Sequence, residues 1–73
     1  MAVVYSENAQ HRANLLAAEQ TRAIAYAAAG NSQAAIKAAD VAFAKSALAS
    51  AKANGCGVEQ WQTMLKELGL TGA

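Results

Sequence analysis

Apolar residues in this chain recur mainly at spacings of three and four, and no stretch alternates apolar and polar residues over a useful length. This spacing is typical of amphipathic helices and argues against strands. A first helix is predicted over residues 6–29, with Ser6 as its N-cap and Gly30 as the residue that ends it. A second helix is predicted over residues 32–53.

The connection between these two helices is short. It consists of Gly30, Asn31 and Ser32, and either Asn31 or Ser32 serves as the N-cap of the second helix. Because a connection of about three residues turns the chain back on itself, the two helices should form an antiparallel hairpin. Both helices are rich in alanine, whose small side chain allows the helix axes to approach closely.

A third, shorter helix is predicted over residues 58–68. Its apolar residues form one stripe at helical spacing, and Trp61 is the largest of them. Gly69 should end this helix, with Leu70 placed to contact Leu65 as in a Schellman motif. We expect the helix to lie across one end of the hairpin, anchored by Trp61. The stripe consists of Val58, Trp61, Leu65 and Leu68.

The first helix has two apolar faces. The wider face consists mostly of small residues and is predicted to meet the second helix, with Leu16 and Ile24 as its core residues. The narrower face contains Leu15 and Tyr26, which lie within about 20° of each other around the helix. Its neighbours are charged, so it is predicted to be a thin apolar stripe on the surface. The wider face comprises Ala9, Ala13, Leu16, Ala23, Ile24 and Ala27, and the charged neighbours of the narrower one are Arg12, Glu19 and Arg22.

The second helix carries two lines of apolar residues, about 100° apart around the helix, and Asp40 falls between them. A carboxylate buried there without a partner would cost stability. The favoured interpretation is therefore a solvated position for Asp40 at the rim of the core, and the alternative is a buried carboxylate paired with Lys37 or Arg22. The predicted core anchors of the whole chain are Leu16, Ile24, Ile36, Phe43, Leu48, Trp61 and Leu65.

Composition supports the helical interpretation. The 73 residues contain no proline and are rich in alanine, which has the highest intrinsic helix propensity. The predicted fold class is all-α, with an antiparallel helical hairpin plus a short third helix, that is, a small three-helix bundle. The predicted organisation is an N-terminal arm over residues 1–5, one helical domain over residues 6–70 and a C-terminal tail over residues 71–73.

Large apolar side chains are few for a chain of this length. Burying one contributes roughly 1.5–3 kcal/mol, whereas ordering the backbone costs about 1–2 kcal/mol per residue. Small domains often gain further stability by oligomerising. We therefore predict a homo-oligomer or a larger protein assembly, with Val3, Val4, Tyr5, Leu15 and Tyr26 at the protein interface. The alternative for the arm is packing within its own molecule, beneath the third helix.

Charge and hydropathy limit the classes of partner and the cellular locations that are expected for this chain. Six basic and five acidic residues leave the chain nearly neutral, which argues against nonspecific nucleic-acid binding. No apolar run has the length of a membrane span, and the first ten residues do not resemble a signal peptide. The single cysteine, Cys56, has no internal disulfide partner, so a cytoplasmic, reducing location is expected. An intermolecular disulfide is the alternative outside a cell.

Few residues offer candidate chemistry. His11 is the single histidine, and Glu7 lies four positions before it. The expected arrangement is an exposed pair on one helix face, since one such pair is an incomplete metal or proton-transfer site. Cys56 lies between two glycines with no base nearby in sequence, so an inert thiol is favoured over a nucleophile. The sequence therefore predicts no enzyme activity, no cofactor and no small-molecule ligand.

Three lysines of the second helix, Lys37, Lys45 and Lys52, form a loose row that could contact phosphates. The alternative is the solvated back of the hairpin. Two helices joined by a tight turn also suggest a helix-turn-helix, but a recognition helix should present Arg, Asn or Gln to the bases, and this one presents mostly alanine. A small DNA-binding regulatory protein is thus the second functional hypothesis.

The run QAAIKAADVAFAKSALASAKANG, followed by VEQWQTMLKELG, resembles small alanine-rich helical proteins encoded among tailed-bacteriophage structural genes. The resemblance covers the two C-terminal helices and lies in composition and helix order. It implies a virion or assembly component, and a virion location in that case. The first functional hypothesis is therefore a non-enzymatic structural or assembly protein that self-associates or docks on a larger complex.

Overall fold

The computed structural model describes residues 8–70, which form three α-helices. Helix α1 spans Ala9–Ala29, α2 spans Gln33–Asn54 and α3 spans Glu59–Glu67. The predicted fold class is confirmed, because this part of the chain is an all-α hairpin followed by a short helix. The arm over residues 1–5 and the tail over residues 71–73 lie outside the described residues.

The two long helices begin at side-chain caps. Asn8 has an extended backbone, and its Oδ1 accepts a hydrogen bond of 2.8 Å from the His11 backbone N–H. Asn8 is therefore the N-cap of α1, which corrects the prediction for Ser6, a residue outside the described range. At α2, the Ser32 hydroxyl accepts from the Ala35 N–H at 3.2 Å, so Ser32 rather than Asn31 is the cap.

Glycines with left-handed backbone follow α2 and α3. Gly55 has φ 69° and ψ 24°, a conformation that is strained for residues with a Cβ. Gly69 has φ 92°, and the Leu70 N–H donates to the Leu65 carbonyl at 2.9 Å. This last bond is the Schellman contact that the sequence predicts, and it brings Leu70 back onto the core.

Helices α1 and α2 form the antiparallel hairpin. At its open end, the Asn8 side chain donates to the Asn54 carbonyl at 3.3 Å. Near the turn, the Tyr26 hydroxyl donates to Asp40. Contacts therefore pair the start of α1 with the end of α2 and the end of α1 with the start of α2.

Helix α2 lies between the other two and packs against both, whereas α3 packs against α2 alone among the described helices. The buried cluster between α2 and α3 consists of Ala44, Leu48 and Leu65. At the far end of α3, a Cβ added at Gly69 would lie 3.6 Å from Lys37 Nζ. Because Lys37 is near the start of α2, α3 runs back along α2 instead of lying across one end of the hairpin.

Trp61 is half-buried beside this cluster. Its ring meets Phe43 edge-on, with centroids 5.7 Å apart and planes at 79°. Phe43 is itself buried on the hairpin side of α2, so the aromatic pair joins the α1–α2 contact to the α2–α3 contact. Ile36, another predicted anchor, is half-buried near the start of α2.

The face of α1 that packs against α2 is the opposite of the predicted one. Leu16 and Ile24, predicted as core anchors, are 56% and 72% exposed, whereas Leu15, predicted at a protein interface, is 3% exposed. The reason lies in α2, whose inner side carries Ser50 and Asp40. Burying these polar groups against an all-apolar surface would destabilise the protein, because they would lack hydrogen-bonding or charged partners. The Leu15 face of α1 supplies partners for both.

We expect Gly55→Ala to destabilise the protein by about 1–2 kcal/mol, because alanine in the left-handed conformation brings its Cβ against the following carbonyl. No atom lies within 4 Å of the added Cβ, so packing does not contribute. Urea denaturation followed by circular dichroism measures the change. Gly57→Ala is the control, since Gly57 does not have positive φ and its added Cβ would make an ordinary 3.5 Å contact with Glu59. An equal loss in both variants would contradict the conformational explanation.

Candidate functional site

Two polar clusters and three surfaces are the candidate sites of the described chain. The first cluster, here called the turn-end cluster, consists of Arg22, Tyr26, Asp40 and Phe43. Arg22 Cζ lies 3.9 Å from the centre of the Phe43 ring, and Arg22 Nη1 lies 3.9 Å from Asp40 Oδ1. The Arg22 and Asp40 side chains are 28% and 22% exposed, so both are partly withdrawn from water. Arg22 is thus the partner of Asp40, and the carboxylate is not simply solvated at a rim.

Tyr26 completes this cluster. Its hydroxyl donates to Asp40, and Arg22 Cζ lies 5.6 Å from its ring centre. The hydrogen bond to Asp40 raises the pKa of the Tyr26 phenol, desolvation and the charge of Asp40 raise it further, and Arg22 opposes the change. Tyr26 was predicted at a protein interface; it is 39% exposed, and its hydroxyl is engaged within its own hairpin. The cluster therefore holds the hairpin together near the turn.

The second cluster, here called the open-end network, centres on Ser50. The Asn14 amide donates to Ser50 Oγ at 2.9 Å, and His11 Nδ1 lies 2.7 Å from the same oxygen. Since Oγ accepts from Asn14, its own hydrogen is available to donate to His11 Nδ1. His11 is 1% exposed, which corrects the prediction of an exposed pair with Glu7; Glu7 itself lies outside the described residues.

This serine–histidine contact is enclosed by the hairpin. Ser50 is 8% exposed and accepts from an amide, so its oxygen is not presented to an incoming substrate. The Asn54 amide also donates to the Ser50 carbonyl at 2.9 Å, which ties the end of α2 into the same network. The arrangement satisfies buried polar groups and aligns the helices, and we assign it a structural role.

An open cleft of about 100 Å³ lies beside the turn-end cluster. Arg22 and Phe43 form part of its wall, and most of the remainder is alanine. Pockets that hold a drug-sized ligand enclose roughly 300–1,000 Å³. The cleft is therefore too small and too open to serve as a comparable ligand site. Its lining is Ala18, Thr21, Arg22, Ala25, Ala39, Ala42, Phe43 and Ser46.

The three lysines of α2 are exposed but do not form one row. Lys45 and Lys52 lie within about 20° of each other around the helix. Lys37 lies roughly 60–80° away and is placed at the C-terminal end of α3, next to Gly69. A cation is favoured at that end by the helix dipole, so Lys37 has a structural reason for its position.

The surface that sequence reasoning missed is the outer side of α1. We call it the α1 outer strip, and all of its members are exposed. Leu16 and Ile24 are its large residues, and none of its side chains carries a formal charge. The signal that could have revealed it was the presence of Asp40 and Ser50 among the inner positions of α2. The strip consists of Ala13, Leu16, Ala17, Gln20, Ala23, Ile24 and Ala27.

The remaining predicted interface residues, Val3, Val4 and Tyr5, lie outside the described residues. Cys56 is half-buried, with its Sγ 3.7 Å from the Asn54 carbonyl oxygen. An intermolecular disulfide through Cys56 stays a prediction.

We expect Asp40→Asn to lower the pKa of Tyr26 towards the ordinary tyrosine value of about 10. The substitution removes the carboxylate that accepts the phenolic hydrogen and repels the phenolate. Absorbance titration of the phenolate in a Tyr5→Phe background follows Tyr26 alone, because the chain has two tyrosines.

The same pair gives a pH dependence of stability. The folded-state pKa of Tyr26 is raised, so its stabilisation is complete below pH of about 10 and is lost as the pH rises through the folded-state pKa. Denaturation at a series of alkaline pH values should show this loss in the wild type and less of it in Asp40→Asn. Identical profiles would exclude a thermodynamic role for the pair.

We expect Ser50→Ala to destabilise the hairpin by about 1–3 kcal/mol, because it leaves buried donors and acceptors without their partner. Thermal and urea denaturation measure the loss. The matched control is Ser46→Ala, four residues earlier on the same helix at an exposed position, which should change stability by less than about 0.5 kcal/mol. If the two substitutions have the same effect, the open-end network does not contribute as argued.

Comparison with known proteins does not indicate a function for this chain. Neither protein-family models, nor curated proteins, nor solved structures give a match to the chain. Within residues 8–70, none of the helices combines the length and hydropathy that a bilayer span requires. Over the same range, His, Cys, Asp and Glu side chains do not gather in a group able to hold a metal ion.

Proposed function

We propose that this protein is a non-enzymatic structural or assembly protein that associates through the α1 outer strip, with copies of itself or with a larger complex. The observation that carries the proposal is the exposure of Leu16 and Ile24, at 56% and 72%, on one uncharged side of a helix whose N-terminus is capped by Asn8. Exposed apolar residues that cluster on one side of a small protein typically mark an interaction surface.

Energetics support an association role for this strip. Fully burying a leucine or isoleucine side chain contributes roughly 1.5–3 kcal/mol. The residues that hold α1 to α2 lie on the opposite side of α1, so a partner can cover the strip without disturbing the hairpin. A partner would thus meet a surface that is already formed, which keeps the entropic cost of binding low.

The proposed location is the cytoplasm, or a virion if the resemblance to tailed-bacteriophage structural proteins reflects common descent.

DNA binding is the weaker proposal. Lys45 and Lys52 share an exposed side of α2, but Lys37 is placed at the end of α3 and the whole chain has a formal charge of +1. A salt titration with duplex DNA separates the two functions, because phosphate contacts weaken steeply with salt.

We expect the wild-type protein to show concentration-dependent association by sedimentation equilibrium, and Leu16→Gln/Ile24→Gln to abolish it. Glutamine keeps the helix propensity high while removing the apolar surface. The matched control is Ala38→Gln/Ala49→Gln, at exposed positions of α2, which should associate like the wild type.

Circular dichroism should give the same helicity for all three proteins, since each substitution lies at an exposed position. A wild type that stays monomeric at every concentration and in the presence of its native complex would refute the proposed function. Association that survives Leu16→Gln/Ile24→Gln would refute the assignment to the α1 outer strip.

A further inference from the structure

We infer that the partner of the α1 outer strip is the same strip of a second copy, packed antiparallel with the two-fold axis at Gln20. This inference rests on the proposed function and names its partner and geometry. It is carried by the arrangement of residue sizes along the exposed side of α1.

The strip is symmetric about Gln20. Alanines lie three positions to either side, large aliphatic residues lie four positions to either side, and alanines recur at seven positions to either side. All of these positions are exposed in the hairpin. The pairs are Ala17 and Ala23, Leu16 and Ile24, and Ala13 and Ala27.

Such symmetry is what a two-fold antiparallel contact requires. In an isologous interface, if one residue contacts a second, the second contacts the first on the other copy. With the axis at Gln20, Leu16 of each copy lies beside Ile24 of the other, and alanine meets alanine on either side. The small residues let the helix axes approach until the large ones interdigitate. Gln20 of one copy lies beside Gln20 of the other, and the two side-chain amides can bond to each other because each both donates and accepts hydrogen bonds.

Other registers bury less of the strip. An axis at Leu16 would place Ala13 opposite Glu19 and Gln20 opposite Arg12, which brings charge into the contact. An axis at Ile24 would place Ala17 opposite Asn31, which lies beyond the end of α1. The register at Gln20 covers both large residues of both copies and keeps the whole contact within the helix.

In a parallel pair each residue would contact the same residue of the other copy. That arrangement would not require a sequence that is symmetric about Gln20. It would also align the two helix dipoles side by side in the same direction, whereas an antiparallel pair opposes them. The observed pattern therefore favours the antiparallel arrangement.

Charge and size agree with a second copy as the occupant. The charged side chains nearest the strip, Arg12 and Glu19, lie about 80° and 100° around the helix from Gln20. Two copies can therefore meet without placing like charges in the contact. From Ala13 to Ala27 the strip is about 21 Å long, and one helix side of that length covers less than the roughly 800 Å² per partner of a standard interface. We expect a dimer that dissociates on dilution.

Disulfide trapping tests the geometry in a Cys56→Ser background. We would mix Leu16→Cys protein with Ile24→Cys protein of different tag length and oxidise the mixture at a concentration where the wild type associates. The expected product is the Leu16→Cys/Ile24→Cys heterodimer, several-fold in excess of either homodimer. Gln20→Cys alone should form its homodimer several-fold faster than Ala38→Cys, the exposed control on α2.

The outcomes separate this inference from the proposed function. An excess of the two homodimers would show parallel pairing and overturn the inference. Crosslinking of all variants at the rate of Ala38→Cys would also overturn it, while wild-type association that Leu16→Gln/Ile24→Gln abolishes would leave the proposed function standing with another partner. Every cysteine replaces an exposed residue, and circular dichroism with sedimentation of the reduced proteins checks that each variant remains folded.

Discussion

The packing of α1 on α2 depends on polar side chains of α2 that are largely withdrawn from water and need partners. Asp40 and Ser50 lie on the side of α2 that meets α1. Either of them would destabilise the protein if it were buried against an apolar surface without a partner. Arg22 and Tyr26 meet Asp40 near the turn, and His11 and Asn14 meet Ser50 at the open end. These contacts select one rotation of α1 about its own axis.

That rotation determines the outer surface of the protein. With Leu15 and His11 turned towards α2, the more apolar side of α1 is left facing solvent. Helix α3 does not cover it, because among the described helices α3 packs against α2 alone and joins the hairpin core through the contact of Trp61 with Phe43. The fold thus gives Asp40 and Ser50 partners within the hairpin and leaves Leu16 and Ile24 exposed.

Several features of this fold support the association role proposed above. Among the described residues, the serine–histidine contact is enclosed, the Asp40 carboxylate is paired with Arg22, and the cleft is small. Its exposed strip is uncharged, lies on one straight element and has a size pattern that complements itself. These properties connect the thin core to the proposed assembly role, because the apolar surface missing from the interior is found on the outside of α1.

The sequence by itself determined the three helices, the hairpin and the glycines that end α2 and α3. Gly55 and Gly69 mark helix ends because their backbone conformations disfavour a Cβ. The sequence placed the cap of α2 at Asn31 or Ser32, and the structure selects Ser32, whose hydroxyl accepts from the Ala35 N–H. The conformation of a glycine at a helix end is a local effect, and a local pattern is sufficient to predict it. The N-cap of α1 was misplaced because Ser6 and Asn8 are both good caps, and only the structure distinguishes them.

Which face of α1 is buried was decided only by tertiary structure. An alanine-rich helix has small residues on every side, so its own periodicity permits either face to pack and hydropathy favours the one with Leu16 and Ile24. The choice depends on Asp40 and Ser50, which lie on α2 and require hydrogen-bonding or charged partners from the facing side of α1. Periodicity within one segment does not contain that information, because it arises from pairing between segments.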